Sequence, residues 1–169
     1  MTQPRFLQVL AAVLVALVLA TTFTHVLELP AKLAYSASLY VELQKSLYQQ
    51  WGPPNPAGFL EPAAIIVVVI LAMTTRRNRP AFRLAVGAAL VLLVAFPLLY
   101  FWRVEPANEY FRTVLTGTTI PADWASWRLR WETGQIARFI AHLTAFVLLI
   151  ASMTQSVRKR HTNTLWLAA

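Results

Sequence analysis

Four apolar runs, at about residues 6–26, 59–75, 84–101 and 136–157, dominate this 169-residue chain and leave little of it for a separate soluble core. A helix needs ~20 predominantly apolar residues to cross a bilayer, and only helices and closed barrels satisfy their backbone groups in lipid. The second run, Pro62 to Thr75, reaches that length only with Phe59 and Leu60, but its centre, AAIIVVVILAM, has no polar side chain. The runs therefore predict an all-α fold: an integral membrane four-helix bundle, a single domain over residues 1–169, with two long outer loops (about 27–58 and 102–134) containing short helices. Composition agrees, at 57% apolar and 13% charged. The absence of Cys removes disulfides, thiolate metal sites and thiol nucleophiles together.

Charge is distributed as unevenly as hydropathy. Arg5, the Arg76, Arg77, Arg79 turn with Arg83, and the tail Arg158, Lys159, Arg160 carry only positive charge. The remaining cations, Lys32, Lys45, Arg103, Arg112, Arg128, Arg130 and Arg138, balance the acids Glu28, Glu42, Glu61, Glu105, Glu109, Asp123 and Glu132. The whole net charge of +8 is then a positive-inside signal, placing both termini in the cytoplasm of a bacterial-type inner membrane. It gives no support to nucleic-acid binding. Arg5, the apolar run and Val18-Leu19-Ala20 also fit a cleaved signal peptide. Against cleavage, a periodic polar pattern continues through Thr21, Thr22, Thr24, His25 and Glu28.

Helical spacing places further elements. Ala31 to Gln50, with Leu33, Leu39, Leu43 and Leu47, predicts a helix extending the first span or lying along the interface, ended by the Trp51-Gly-Pro-Pro-Asn-Pro-Ala-Gly turn. Pro121-Ala-Asp-Trp predicts a helix start, with that helix running into the fourth span and bending at Gly134. Pro97 predicts a kink in the third span.

Polar residues inside the spans converge in depth. At ~1.5 Å rise per residue, His142 lies roughly 24 Å above Arg158, Glu61 roughly 22 Å above Arg76, and His25 roughly 30 Å above Arg5. Thr21, His25, Glu28 and Lys32 share one stripe of the first helix, and Trp131, Gln135, Arg138 and His142 share one of the fourth. These stripes predict an outward-facing polar pocket lined by His25, Glu28, Glu61, Arg138 and His142 as chemical groups, with Thr21, Trp127, Trp131 and Gln135 as ligand contacts. Trp124, Trp127 and Trp131 read either as an interfacial belt or as a stacking wall for a planar apolar molecule. His25, Glu28 and His142 read either as metal or haem ligands or as groups neutralised in ion pairs, above all Glu28 or Glu61 with Arg138. Glu42, Glu105, Glu109, Asp123 and Glu132 read as solvated loop charges, and no cofactor is required.

Three patches, FTHVLELPAKL (23–33), GFLEP (58–62) and WRLRWETGQIAR (127–138), resemble the anthrone oxygenase-like family of small four-helix membrane proteins. The family pattern before the last span is Trp-Asn, two residues, His, two residues, Arg. Trp131 and Arg138 match it, Glu132 stands for the Asn and Gln135 for the His. The resemblance implies oxidation of a planar phenolic or anthrone-type carbon acid by O2, with His25 or His142 as base, Arg138 as electrostatic partner and Glu28 or Glu61 orienting the imidazole. The alternative is a non-catalytic subunit or hydrophobic-ligand binder. Expected partners are the lipid bilayer, a planar apolar small molecule and, in that alternative, a membrane partner subunit or a second copy of the chain.

Overall fold

A computed structural model describes residues 5–52, 54–114 and 119–166, with side chains of the last helix described to residue 155. Among the described residues the chain is helical with no strands. The helices are α1 (Arg5–Ala34), α2 (Ala37–Ser46), α3 (Leu60–Thr75), α4 (Arg79–Leu93), α5 (Glu105–Thr113) and α6 (Trp124–Trp166). Four stretches are long and apolar enough to cross a membrane: Arg5–Ala34, Pro56–Thr75, Arg79–Thr113 and Trp124–Gln155. The basic tail from Arg158 to His161 falls outside the described side chains.

The four long elements close a ring in which α1 packs on α3 and α6, and α4 packs on α3 and α6. At the end holding the α3–α4 turn, an apolar core joins Ala11, Val15 and Val18 to Val68 and Leu71, Ala88 and Leu92, and Ala145 and Leu149. Small residues on α4, Ala81, Ala85 and Ala88, are fully buried and let that helix approach its neighbours closely. The bundle's outside is apolar along its length, with Val9, Val13, Ile66, Ile70, Leu90 and Val147 exposed.

Beyond a polar layer lies a second, aromatic core at the loop end, where Tyr40, Val41, Val104, Phe111 and Trp131 pack together. Loop cations build much of this end. Arg128 of α6 donates to the carbonyls of Lys32 and Leu33, supplying partners for the end of α1. Arg130 does the same for Trp102 and Arg103, and Lys45 donates to Val114 O at 2.7 Å.

Four boundaries differ from the sequence expectations. The helix expected over Ala31 to Gln50 is divided, because α1 runs to Ala34 and Ser36, in extended conformation, caps a new helix by accepting from the Leu39 amide. The third span does not end near Phe101; it passes through a π-helical segment, Val94–Val104, directly into α5. Pro97 lies inside that segment, so the loss of its N–H is absorbed by a change of helical type. Pro121 precedes α6 in a turn rather than occupying its first position. Asp123 Oδ1 accepts from the Tyr110 hydroxyl and Oδ2 from the Trp127 indole, and the Tyr110 bond above all holds this carboxyl below its usual range. Finally, α6 runs without interruption through Gly134, where a Cβ would stand 2.9 Å from Val104 Cγ2 and 3.2 Å from Arg103 Cβ. The glycine serves close packing against the π-helical segment.

Candidate functional site

On α6, Trp131 belongs to the aromatic core and Ala145 to the apolar one, so Gln135, Arg138 and His142 fall in the layer between. Thr22 and His25 on α1 and Glu61 in the first turn of α3 reach the same layer. Arg138 Nη2 donates to Glu61 Oε2 at 2.6 Å, and Nη1 donates to Gln135 Oε1 at 2.8 Å. His142 Nε2 lies 2.8 Å from Glu61 Oε1, a close contact that lacks the alignment of a hydrogen bond. The other face of the imidazole, Nδ1, is 3.2 Å from Thr22 Oγ1. A continuous chain, Thr22–His142–Glu61–Arg138–Gln135, thus ties α1, α3 and α6 together. The Arg138 guanidinium also sits 5.1 Å from the centre of the Tyr100 ring.

A cavity of about 390 Å3 opens beside this chain. Its polar wall includes Thr21, His25, Glu61, Gln135 and Arg138, and its other walls come from the loop turns (Tyr48, Gln49, Trp51) and the π-helical segment (Phe96, Tyr100, Phe101). His25 is packed between aromatic rings, with centroids of Trp131, Tyr48 and Trp51 at 4.8, 5.0 and 5.2 Å. Its Nδ1 has no hydrogen-bond partner; the nearest carboxylate oxygen, on Glu28, is 3.8 Å away. Gln49 Nε2 and Arg138 Nε, from the same lining, are also buried without partners. Each such group forfeits roughly 1–3 kcal/mol until something bonds to it.

The residues singled out from the sequence separate into three places. Thr21, His25, Glu61, Trp131, Gln135 and Arg138 line the cavity. Glu28 and His142 stand outside its lining, and His142 is fully buried. Trp127 is elsewhere, stacked on Tyr110 at 4.9 Å and 16°. Of the three spaced tryptophans only Trp131 lines the cavity; Trp124 and Trp127, on the same stripe but one to two turns earlier, pack against the aromatic core at the loop end. Trp131 is fixed there by donating to Asn108 Oδ1 at 2.7 Å. Among the described residues no three His, Cys, Asp or Glu side chains are grouped to hold a metal. The two nitrogens of His142 face Thr22 and Glu61.

Glu132 departs from its expected role as a solvated loop charge: it is 2% exposed. The Tyr40 hydroxyl donates to its Oε1 at 3.0 Å, and Lys32 Nζ is 3.1 Å from its Oε2. Lys32 is equally buried, 3.6 Å from Glu28 Oε2 and over the Trp131 ring. Tyr48 donates to Glu28 Oε2 at 2.5 Å. Burial first, and then the neighbouring Glu132 and Glu28 carboxylates, raise the Tyr40 and Tyr48 hydroxyls well above the ordinary tyrosine range. Glu105 is also drawn from the loop to the cavity rim, accepting from Tyr100 at 2.8 Å and Asn108 at 3.0 Å. In the sequence these residues carry only the signal of the Trp131 stripe, whose i+1 neighbour, Glu132, faces α1 and α2 once the loop folds back.

Three patches far apart in the chain therefore meet around one cavity: 23–33 brings His25, 58–62 brings Glu61, and 127–138 brings Trp131, Gln135 and Arg138. No family model, curated protein or solved structure matches this chain.

Proposed function

We propose that this protein is an integral membrane oxidoreductase similar to the anthrone oxygenase-like proteins, which takes a planar phenolic or anthrone-type molecule into an outward-facing cavity. The observation that carries this reading is the pairing of His25, whose Nδ1 lacks a hydrogen-bond partner, with Arg138 on the wall of the same 390 Å3 cavity. In the proposed reaction His25 accepts a proton from the carbon acid, and Arg138 stabilises the enolate that forms. Molecular oxygen then receives the electrons, so that the CH2 of the anthrone becomes C=O and one water is released. Glu61 positions Arg138 by accepting from Nη2, leaving Nε as a donor. The orientation in this reading has both termini cytoplasmic in a bacterial inner membrane, with the Trp51 turn and the rim of Glu105 and Arg112 facing outward.

A second reading is favoured by one observation, the buried chain from Thr22 to Gln135 that links three helices. Such a chain suits a non-catalytic ligand-binding subunit whose intramembrane charges hold the bundle together. The two readings separate in an assay of anthrone conversion to anthraquinone by purified protein. The first expects O2-dependent turnover above the protein-free rate, reduced at least ~10^2-fold in His25→Gln with unchanged thermal stability. Equal turnover in wild type, His25→Gln and His142→Gln discards the base assignment, and no turnover at all leaves the second reading.

A further inference from the structure

We infer that the cavity is filled from within the bilayer, through an opening between the start of α3 and the π-helical segment, and that its ligand is a planar phenol or hydroquinone carrying a hydrocarbon tail. This rests on the ligand-binding reading above and adds the ligand's class and route.

The cavity lining is chemically divided. His25, Glu61, Gln135 and Arg138 supply polar groups, while Leu60, Phe96 and Phe101 supply apolar surface. Phe101 both lines the cavity and is 57% exposed, so the apolar lining runs without a break onto the outer surface of the bundle. Phe59 before α3 and Leu98, three residues before Phe101, are also exposed apolar side chains, at 55% and 57%. In a helix read as crossing a membrane these side chains meet lipid tails.

The backbone explains why an opening falls there. α3 packs against α1 and α4, whereas the π-helical segment packs against α4, α5 and α6. The two therefore part at the loop end, where Pro97 withdraws a backbone donor and the wider helix begins. A π-helical stretch of 11 residues is long for a feature that elsewhere is a single turn and tends to occur at functional sites.

Size and chemistry then restrict the occupant. About 390 Å3 is near the lower end of ligand pockets, room for a planar head group but not for a long chain as well. The unpartnered nitrogens of His25, Gln49 and Arg138 call for a head with oxygen acceptors and a hydroxyl donor. A tail joined to that head has an apolar path past Phe101 and Leu98 into the lipid.

The test uses the protein in lipid nanodiscs under anaerobic, reducing conditions and follows tryptophan quenching by two probes with the same head: an untailed methoxy-substituted hydroquinone and its decyl-tailed analogue. Compared at equal mole fraction in the bilayer, the tailed probe is expected to bind at least tenfold more tightly, and Phe101→Gln is expected to bring that ratio close to one. A second measurement covers the case in which that variant does not fold: in Leu98→Trp, a bromine on the tail should give additional, saturable quenching that the untailed probe displaces. Equal affinity of the two probes in wild type, or no quenching of the introduced tryptophan, overturns the lateral route and leaves the cavity as a site reached from the aqueous side. Failure of both probes to bind wild type overturns this inference and the ligand-binding reading together.

Discussion

Arg138 Nη2 and Glu61 Oε2 are 2.6 Å apart, although 77 positions separate the two residues in the chain. Both side chains are largely withdrawn from solvent, at 8% and 14% exposed. Removing one partner leaves the other as an uncompensated buried charge, which costs about 3–5 kcal/mol. Arg138→Gln and Glu61→Gln should each lower thermal stability in detergent by that order, and the double variant should lose clearly less than the sum. Additive losses would show that the two groups do not compensate each other.

His25 and His142 should respond differently to the same replacement. His142 touches Thr22 and Glu61 in the buried chain, so His142→Gln is expected to lower the unfolding temperature. His25 has no hydrogen bond to lose at Nδ1, and His25→Gln should leave stability nearly unchanged while depressing turnover or ligand affinity. Scanning both variants by heat and by binding checks this; a reversed pattern would exchange their assigned roles.

Two helical glycines should give opposite signs. At Gly134 a Cβ would press on Val104 Cγ2 at 2.9 Å and on Arg103 Cβ, which is tied to backbone and cannot swing away. Gly134→Ala is expected to destabilise by about 1–3 kcal/mol. At Gly87 the nearest atom is Leu148 Cδ1 at 3.5 Å, an ordinary contact, so Gly87→Ala should stabilise by roughly 0.5–1 kcal/mol. Paired thermal melts read both.

Tyr40 and Tyr48 predict an alkaline limb. Their folded-state pKa values are raised above the ordinary 10.0, so the stability they contribute is fully present below that pH and is lost as pH rises beyond it. Wild-type stability should therefore fall above about pH 10, and Tyr40→Phe should fall less steeply over the same range. At neutral pH the same variant should already be weaker by ~1–3 kcal/mol, because Glu132 Oε1 loses its donor. A pH series of unfolding midpoints for the two proteins tests both statements.

The helices were readable because a run without polar atoms has few alternatives to helix in lipid, and the common layer of His25, Glu61 and His142 followed from counting rise per residue along three such runs. Helix ends were not readable in that way. α1 continues past its apolar run to Ala34, where Arg128 satisfies the Lys32 and Leu33 carbonyls, and the third element continues as α5 to Thr113; hydropathy registers neither. Glu132 looked like a loop charge for a related reason: its burial depends on α2 folding back to bring Tyr40 against it. The aromatic walls from Tyr48 and Trp51 arrive by the same return of the chain, which no local spacing announces.

The most direct test of the cavity as the binding site is equilibrium binding of a dihydroxyanthraquinone to the protein in lipid nanodiscs, compared with Ala57→Trp. Ala57 lines the cavity and is only partly buried in a short helical turn, so an indole there should fill the space without disturbing the bundle. Saturable binding of one molecule per chain in wild type, lost in Ala57→Trp with an unchanged unfolding temperature, is the predicted result. Binding that survives the substitution undiminished would place the ligand elsewhere and contradict the account.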